Sequence, residues 1–391
     1  MIRSWHSLAA AVLLGGALVS TVSTPVRAAP AGAASAEVRL PQSRQWTMRA
    51  ANGRDYEIFV AVPEGAPPAG GFATLYVLDG NAMFLTTAEA VRAYARRRES
   101  ERDLRALVVG IGYPEGVDIP AARTLDLTPA VPEPRARHAT GGADAFLDFI
   151  LDELRPRIAR EFSIDPGRQG LMGHSYGGLF TIGALTRRPE AFQTWIGMSS
   201  SFWFGQHDLS ARIDRFAQAR TADAAPVRVQ LTAGEFEQQP RPGEWALDPE
   251  RAASAARDLE WRGQSTRAAA AARALAQAPG IVVDFRQIAG EDHGSVIPAA
   301  IARGVDFFFN AATEVPPVPT ADAYLALGAD GRYRLRMQVR ALPDLHRIPW
   351  LNGLKASLKA GLDREAHAAL HAERMEMDAR YGSRPHENNA D

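Results

Sequence analysis

Gly173-His174-Ser175-Tyr176-Gly177 decides the fold, because it fits the pattern Gly-x-Ser-x-Gly. In a nucleophile elbow the serine lies on a sharp turn between a strand and a helix, where larger residues at the glycine positions would collide. An apolar stretch, 170–172, precedes the pattern, and a helical pattern follows it over 179–185. We therefore predict that Ser175 is a nucleophile rather than the capping serine of an ordinary glycine-rich turn.

A serine needs a base to take its proton. In proteins with such an elbow, the three catalytic residues follow one another along the chain in the order serine, acid, histidine. His293 lies in the loop Gly290-Glu291-Asp292-His293-Gly294-Ser295, directly after a predicted strand that ends near Ile288. A predicted helix, Val296 to Phe309, follows this loop. That position predicts His293 as the general base.

The acid should follow the strand that lies between these two residues in the chain. The stretch 227–231 ends in a short loop that contains Glu235 and Glu237, and we favour Glu237 as the partner of the imidazole Nδ1. The alternatives are Glu235, Asp292 or a backbone carbonyl as the group that orients His293.

Two backbone amides should stabilise the tetrahedral intermediate. One is the amide of Tyr176, which the elbow places. The other should come from Leu78-Asp79-Gly80-Asn81-Ala82, where Gly80 allows a close approach and the Asn81 amide can point inward. His174 lies within the elbow with its side chain directed away from Ser175, so we interpret it as structural.

Hydrophobic patterning predicts the rest of the fold. A half-buried strand with alternating apolar residues is predicted over 56–62, and continuous apolar runs typical of strands covered on both faces occur at 73–78, 107–111, 170–172, 194–198, 227–231 and 281–285. A helical pattern at 146–154 should kink or end at Pro156. Strands alternating with helices predict an α/β-hydrolase fold, a doubly wound and mostly parallel sheet with helices on both faces.

Both ends of the chain differ from this pattern. A basic start, an apolar run and Val26-Arg27-Ala28 predict a secretory signal, and hence a periplasmic or secreted protein. The leucines at 351, 354, 358 and 362 form an apolar stripe on one face of a predicted helix. This face predicts either a packed accessory segment or an oligomerisation surface. The predicted organisation is a signal peptide (1–28), a flexible leader (29–37), a catalytic domain (38–310), a linker with a helical C-terminal extension (311–382) and a disordered tail (383–391).

Composition excludes several classes of function. The sequence has no cysteine, which excludes disulfides, a thiolate nucleophile and cysteine-based zinc sites. Its net charge of −1 offers no bulk field for nucleic acid or for an anionic membrane. No metal or other cofactor is expected, since His367 and His371 are predicted to lie on a solvated face. The expected partner is a small-molecule ester, and the oligomeric state stays open.

Five stretches together resemble the "Putative esterase" branch of the α/β hydrolases, the esterase D-like proteins, and among these the periplasmic trilactone esterases that cleave ferric siderophores. They are Tyr76 to Phe84, Gly110 to Tyr113, Arg123 to Pro129, Gly173 to Gly178 and Ser199 to Phe204. The resemblance covers residues 45–310. The sequence departs from the family pattern in two places, and both bear on which substrate it takes. Ser200 stands where relatives often have proline, and the C-terminal extension is longer than a minimal siderophore esterase needs.

The resemblance implies an ester-hydrolysing Ser-His centre, an oxyanion loop at 79–82, and a substrate cleft near Trp203 and Arg123. In some trilactone esterases the acid is displaced, which leaves a dyad. We predict an exported serine esterase for siderophore trilactones or aromatic esters. An acyltransferase with the same acyl-enzyme and a non-catalytic binding protein are the alternatives.

Trp203 and Arg123 are predicted to hold an aromatic or catecholate ester, because an exposed indole is flat and a guanidinium both stacks and forms paired hydrogen bonds. The alternative is purely structural. Phe202 and Trp203 would pack against the sheet edge, and Arg123 would form an ion pair with Asp126.

Overall fold

The computed structural model describes residues 39–96, 103–241, 243, 248–309, 315–340 and 344–381. The predicted signal peptide, leader and disordered tail lie outside the described residues, as does the start of the predicted linker. The elements below belong to one unit that begins at Leu40.

Eight strands form one sheet in the described part of the chain, in the order β1-β2-β4-β3-β5-β6-β7-β8. They are β1 (Ser43–Arg49), β2 (Asp55–Ala61), β3 (Phe72–Val77), β4 (Ala106–Gly112), β5 (Ile164–His174), β6 (Thr194–Met198), β7 (Val227–Gly234) and β8 (Ile281–Ile288). β1 and β2 run antiparallel to their neighbours, and the other pairs are parallel. The predicted mostly parallel α/β-hydrolase sheet is confirmed.

The helices follow the strands in alternation and then continue alone. They are α1 (Gly80–Ala95), α2 (Ile119–Leu127), α3 (Ala143–Asp148), α4 (Arg155–Glu161), α5 (Tyr176–Arg187), α6 (Asp208–Ala219), α7 (Pro249–Arg262), α8 (Gln264–Ala276), α9 (Val296–Phe309), α10 (Ala321–Ala326), α11 (Gly328–Arg340), α12 (Asp344–Gly361) and α13 (Arg364–Tyr381). None of the helices within the described ranges has both the length and the apolar composition needed to cross a bilayer.

The sheet is covered on both faces. Alternate residues of a strand point to opposite faces, so Leu107, Val109 and Ile111 of β4 enter a hydrophobic cluster with α3, α5, α6 and α8. Ala106 and Val108 enter a second cluster with α1 and α9. Each fully buried Leu, Ile or Val side chain contributes about 1.5 to 3 kcal/mol. The two clusters therefore fix the sheet, and with it the loops at its carboxyl edge.

The sequence predicted that the helix kinks or ends at Pro156. The helix does not end there, since a π-helical turn at Phe149–Leu154 changes the hydrogen-bond register just before the proline and α4 continues through it. The edge strand β1 was not predicted, because its seven residues are mostly polar and half-exposed or exposed.

The C-terminal helices form their own small cluster of Tyr324, Val339, Trp350 and Leu354. Helix α12 also contacts β8, the last strand of the sheet. Leu354 is buried, whereas Leu351 from the same predicted stripe is 44% exposed. The helical C-terminal extension is thus present, and only part of its predicted apolar stripe packs inward.

Candidate active site

The turn between β5 and α5 has the geometry of an elbow. Ser175 lies between the two elements with φ 60° and ψ −116°, a backbone conformation that costs about 1 to 3 kcal/mol for a residue other than glycine. A Cβ at position 173 would overlap the carbonyl of Gly177, so only glycine fits there. The Ser175 amide donates to the Met198 carbonyl at 2.9 Å. The strand-turn-helix connection thus holds the hydroxyl at the carboxyl edge of the sheet.

His293 links the serine to a carboxylate. Its Nε2 lies 3.0 Å from Ser175 Oγ, and its Nδ1 lies 2.7 Å from Glu237 Oε2. Because a carboxylate accepts hydrogen bonds, Nδ1 carries the proton and Nε2 is free to accept the serine hydroxyl. The imidazole is 41% exposed, whereas the Glu237 side chain is 1% exposed. The three side chains therefore stand in the order that nucleophilic activation requires.

Three donors surround the Glu237 carboxylate. Its Oε1 accepts hydrogen bonds from Ser199 Oγ and from the Gly234 amide, both at 2.5 Å, while Oε2 faces His293. Burial alone would raise the pKa of Glu237, but the hydrogen bonds and charge of His293, with those from Ser199 and Gly234, hold it below its ordinary value. Glu237 is consequently a carboxylate that can stabilise an imidazolium.

The other two carboxylates considered for this position shape the loops instead. Glu235 Oε2 accepts the Gly290 amide at 2.7 Å. Asp292 Oδ1 accepts the amides of the next turn, and its Oδ2 lies 3.0 Å from Arg241 Nη2. The backbone amide of Ser295 and the Arg241 guanidinium lower the pKa of Asp292 to about 2. Both carboxylates stabilise the loop that carries His293.

His174 anchors the backbone of the same loop. Its Nε2 lies 2.9 Å from the His293 carbonyl, so this nitrogen carries the proton and donates. The two imidazole rings are 4.6 Å apart between centroids. Burial, followed by the charge of His293, lowers the pKa of His174 to about 4. His174 is therefore neutral near pH 7.

This depressed pKa makes the stability of the protein depend on pH. The unfolded chain binds a proton at His174 below about pH 6.5, whereas the folded protein resists it down to about pH 4. The His174 contribution to the free energy of unfolding is therefore complete above pH 6.5 and falls by about 3 kcal/mol as the pH reaches 4. Urea unfolding of wild type and His174→Gln gives the free energy of unfolding of each protein at several pH values from 7 to 4. The difference between these two free energies should shift by this amount over that range. A constant difference would contradict it.

The loop after β3 is fixed against β4. A Cβ at position 80 would lie 2.9 Å from the Ile111 nitrogen, so Gly80 permits this approach. The Asn81 side chain donates from Nδ2 to the Tyr113 carbonyl at 2.9 Å and accepts the Tyr113 amide at 2.8 Å. The Asn81 and Tyr176 amides belong to the first turns of α1 and α5, where N–H groups lack acceptors within the helix. These two amides are therefore the candidate oxyanion donors.

The loop after β6 also supports the site, and the sequence analysis assigned no role to its serines or to Gln264. Ser199, at φ 46°, donates to Glu237, and Ser201 Oγ lies 3.4 Å from Ser175 Oγ. Gln264, 2% exposed, donates from Nε2 to the carbonyls of Ser199 and Ser200. The serines could have been noticed because they directly follow a strand, but no local pattern marks Gln264.

The predicted aromatic residues divide into two kinds. Phe202 is fully buried, as the structural alternative requires. Trp203 is half-buried, with its ring 6.0 Å from that of Tyr176 and 5.7 Å from that of Trp261, which is 36% exposed. An indole pair therefore stands beside the residue that follows the nucleophile.

Arg123 has a different partner from the predicted one. It binds Asp79 through Nε and Nη2, so the ion pair with Asp126 that the structural alternative required is wrong. Asp126 is 2% exposed and pairs with Arg54 at 3.1 Å, because its side chain enters the core beneath α2 while that of Arg123 extends to the loop after β3. Direct contact of Arg123 with a substrate stays a prediction.

Within the described residues, no cluster of three or more His, Asp or Glu side chains could hold a metal ion. The predicted solvated pair His367 and His371 is exposed on α13.

Comparison with known proteins shows what the chain is similar to. The family model described as "Putative esterase" matches residues 50–274. The chain is 34% identical to the ferri-bacillibactin esterase BesA of Bacillus subtilis over 69% of this chain and 88% of that protein. It is 32% identical to the siderophore triacetylfusarinine C esterase of Aspergillus fumigatus over 70% and 94%. The solved siderophore hydrolase EstB from Aspergillus nidulans superposes with a TM-score of 0.62 at 32% identity, over 70% of this chain and 97% of that one.

Proposed function

The chain belongs to the "Putative esterase" family, and from this membership we propose that it is an exported serine hydrolase that cleaves carboxylic esters. Ser175 is the nucleophile, His293 the general base and Glu237 the acid. The observation that carries the proposal is the chain of contacts from Ser175 Oγ to His293 Nε2 at 3.0 Å and from His293 Nδ1 to Glu237 at 2.7 Å. Export rests on the signal sequence predicted at 1–28.

The proposed reaction begins when Ser175 Oγ attacks the ester carbonyl and its proton passes to His293 Nε2. The amides of Tyr176 and Asn81 stabilise the oxyanion, with Gly80 permitting their approach. His293 then gives its proton to the leaving alkoxide, and the C–O bond breaks to leave an acyl-Ser175. Water, deprotonated by His293, attacks the acyl carbon. The bond from this carbon to Ser175 Oγ then breaks, His293 returns the proton to Oγ, and the carboxylic acid leaves. The same intermediate would serve an acyltransferase if an alcohol replaced the water.

We propose an aromatic or catecholate ester, such as a ferric siderophore trilactone, as the substrate. Relatives named as siderophore esterases support the siderophore class. The indoles of Trp203 and Trp261 support a flat aromatic arm, because offset or tilted aromatic contacts stabilise a ring by about 0.5 to 1.5 kcal/mol beyond its burial. The Arg262 guanidinium lies 5.4 Å from the Trp203 ring centroid, and that of Arg135 lies 3.6 Å from the Trp261 ring. Both guanidiniums also pair with the Asp258 carboxylate, at 3.1 Å from Arg135 and 2.8 Å from Arg262. The two cations and one carboxylate leave a net positive charge that suits an anionic ring substituent.

The full chain, expressed in a bacterium with an outer membrane, allows export and activity to be tested together. Esterase activity should appear in the periplasmic fraction, with the N terminus of the protein after Ala28. The purified protein is then assayed on p-nitrophenyl butyrate, a feruloyl ester and ferric enterobactin, with and without an acceptor alcohol. Acid release that is independent of the alcohol supports the hydrolase. Strict dependence on the alcohol would instead identify an acyltransferase.

Trp203→Ala tests the substrate class. We expect kcat/KM for ferric enterobactin or the feruloyl ester to fall about tenfold, since roughly 1.4 kcal/mol of stacking is lost, while ethyl butyrate, which carries no ring, changes less than about twofold. Trp46→Ala, which removes an indole on the edge strand β1, is the matched control and should affect all three esters equally little. Equal losses on every ester in Trp203→Ala would show that Trp203 only packs the site.

A further inference from the structure

The loop after β3 begins with a residue in an unusual conformation. Asp79 has φ 52° and ψ 46°, in the left-handed region that residues with a Cβ rarely occupy. Its side chain precedes α1 but does not cap that helix. Instead, its Oδ1 accepts Arg123 Nε at 2.8 Å and its Oδ2 accepts Nη2 at 3.0 Å. This paired hydrogen bond is geometrically specific, so it can hold Asp79 in one orientation.

The Asp79–Arg123 pair also touches the elbow. A Cβ at position 177 would lie 3.3 Å from Asp79 Oδ2. The Arg123 guanidinium lies 5.6 Å from the centroid of the Tyr176 ring. Asp79 is bonded directly to Gly80. The pair therefore contacts both segments that supply the proposed oxyanion donors.

The charges of the pair explain why both partners are needed. Asp79 is 13% exposed and Arg123 is 25% exposed, so water screens them only in part. A carboxylate beside a developing oxyanion would raise the energy of the tetrahedral intermediate by like-charge repulsion. Burial alone would lower the pKa of Arg123, but Asp79 holds it above its ordinary value, so the guanidinium stays charged and cancels the carboxylate.

We propose that Arg123 is a positioning residue that acts through Asp79: it fixes the loop carrying Gly80 and Asn81 and neutralises the carboxylate next to the oxyanion. This role differs from the direct substrate contact predicted from the sequence, which stays a prediction. It rests on the proposed esterase function. Because the pair acts on the carbonyl oxygen common to all esters, its effect extends to esters too small to reach the indole pair.

The proposal predicts a specific order of losses on p-nitrophenyl butyrate. Arg123→Gln leaves the Asp79 carboxylate unpaired and should lower kcat about 100-fold. Asp79→Asn removes the negative charge together with the paired hydrogen bond to Arg123, and should lower kcat about tenfold. The double variant should be about as active as Asp79→Asn, which means that the second substitution rescues Arg123→Gln. KM should stay within about twofold. Arg157→Gln, which breaks the exposed pair with Glu161, is the matched control and should retain wild-type activity.

Inhibitor binding separates positioning from a general loss of structure. Affinity for a boronic acid, which forms a tetrahedral anion on the serine, should fall in parallel with kcat/KM across the variants, while affinity for the uncharged substrate analogue butyramide should change less than about twofold. Losses confined to ferric enterobactin or the feruloyl ester, or no rescue in the double variant, would overturn the proposal. Lack of ester turnover by the wild type would instead overturn the esterase function and this inference with it.

Discussion

Ser175→Ala is expected to abolish ester hydrolysis, with kcat lower by on the order of 10⁵-fold or more, while the fold stays intact. Alanine removes only Oγ, and the elbow is held by backbone contacts that the substitution leaves in place, such as that between the Ser175 amide and Met198. The measurement is steady-state hydrolysis of p-nitrophenyl butyrate, together with thermal unfolding to verify the fold.

A fluorophosphonate probe gives the second readout for this residue. It should label wild type at Ser175 and leave Ser175→Ala unlabelled, since phosphonylation needs a hydroxyl that His293 can deprotonate. Ser201→Ala is the matched control, because Ser201 carries another hydroxyl, 3.4 Å from Ser175 Oγ. It should still be labelled at Ser175. Labelling at any other residue, or activity retained in Ser175→Ala, would rule out the proposed nucleophile.

Local sequence was sufficient to predict the central sheet and the elbow. Continuous apolar runs identify strands covered on both faces, and the glycines around Ser175 mark the turn, because both signals arise from neighbours in the chain. The edge strand β1 lacked such a signal, since an exposed strand has little apolar alternation to detect. The passage of the helix through Pro156 depends on a π-helical turn, which no propensity rule anticipates.

Partners that are distant in the chain were harder to predict. Both Glu235 and Glu237 follow β7, and only the folded loop decides which one faces His293. Arg123 and Asp79 are separated by 44 positions, and Gln264 and Ser199 by 65. Such contacts depend on packing between whole elements, so composition and spacing do not reveal them. The catalytic roles assigned to these side chains remain predictions that require kinetic tests.

His293→Ala is expected to lower kcat by about 10⁴-fold or more, because Ser175 then has no base to accept its proton. The residual rate should come from the oxyanion donors and from substrate binding. Single-turnover kinetics with p-nitrophenyl butyrate measure this loss directly, because they report acylation separately from deacylation. A loss of less than about tenfold would contradict the role of His293.

Glu237→Gln should lower kcat by less, about 10³-fold, because it favours the wrong tautomer of His293. Each oxygen of Glu237 accepts hydrogen bonds, Oε1 from Ser199 and Gly234 and Oε2 from His293, and a glutamine can supply only one acceptor oxygen. The Gly234 amide cannot become an acceptor, so the new NH₂ group faces His293. Nδ1 must then accept and Nε2 must carry the proton, which prevents Nε2 from taking the proton of Ser175.

Glu235→Gln provides the matched control, since the two glutamates lie on the same loop and lose the same charge. Glu235 contacts the Gly290 amide through one oxygen, which an amide carbonyl can replace, so we expect kcat within about threefold of wild type. The two variants are compared by kcat on p-nitrophenyl butyrate at pH 8, where carboxylates are ionised. If Glu235→Gln loses far more activity than Glu237→Gln, the acid is Glu235. If both variants keep nearly full activity, the centre works as a Ser175–His293 dyad.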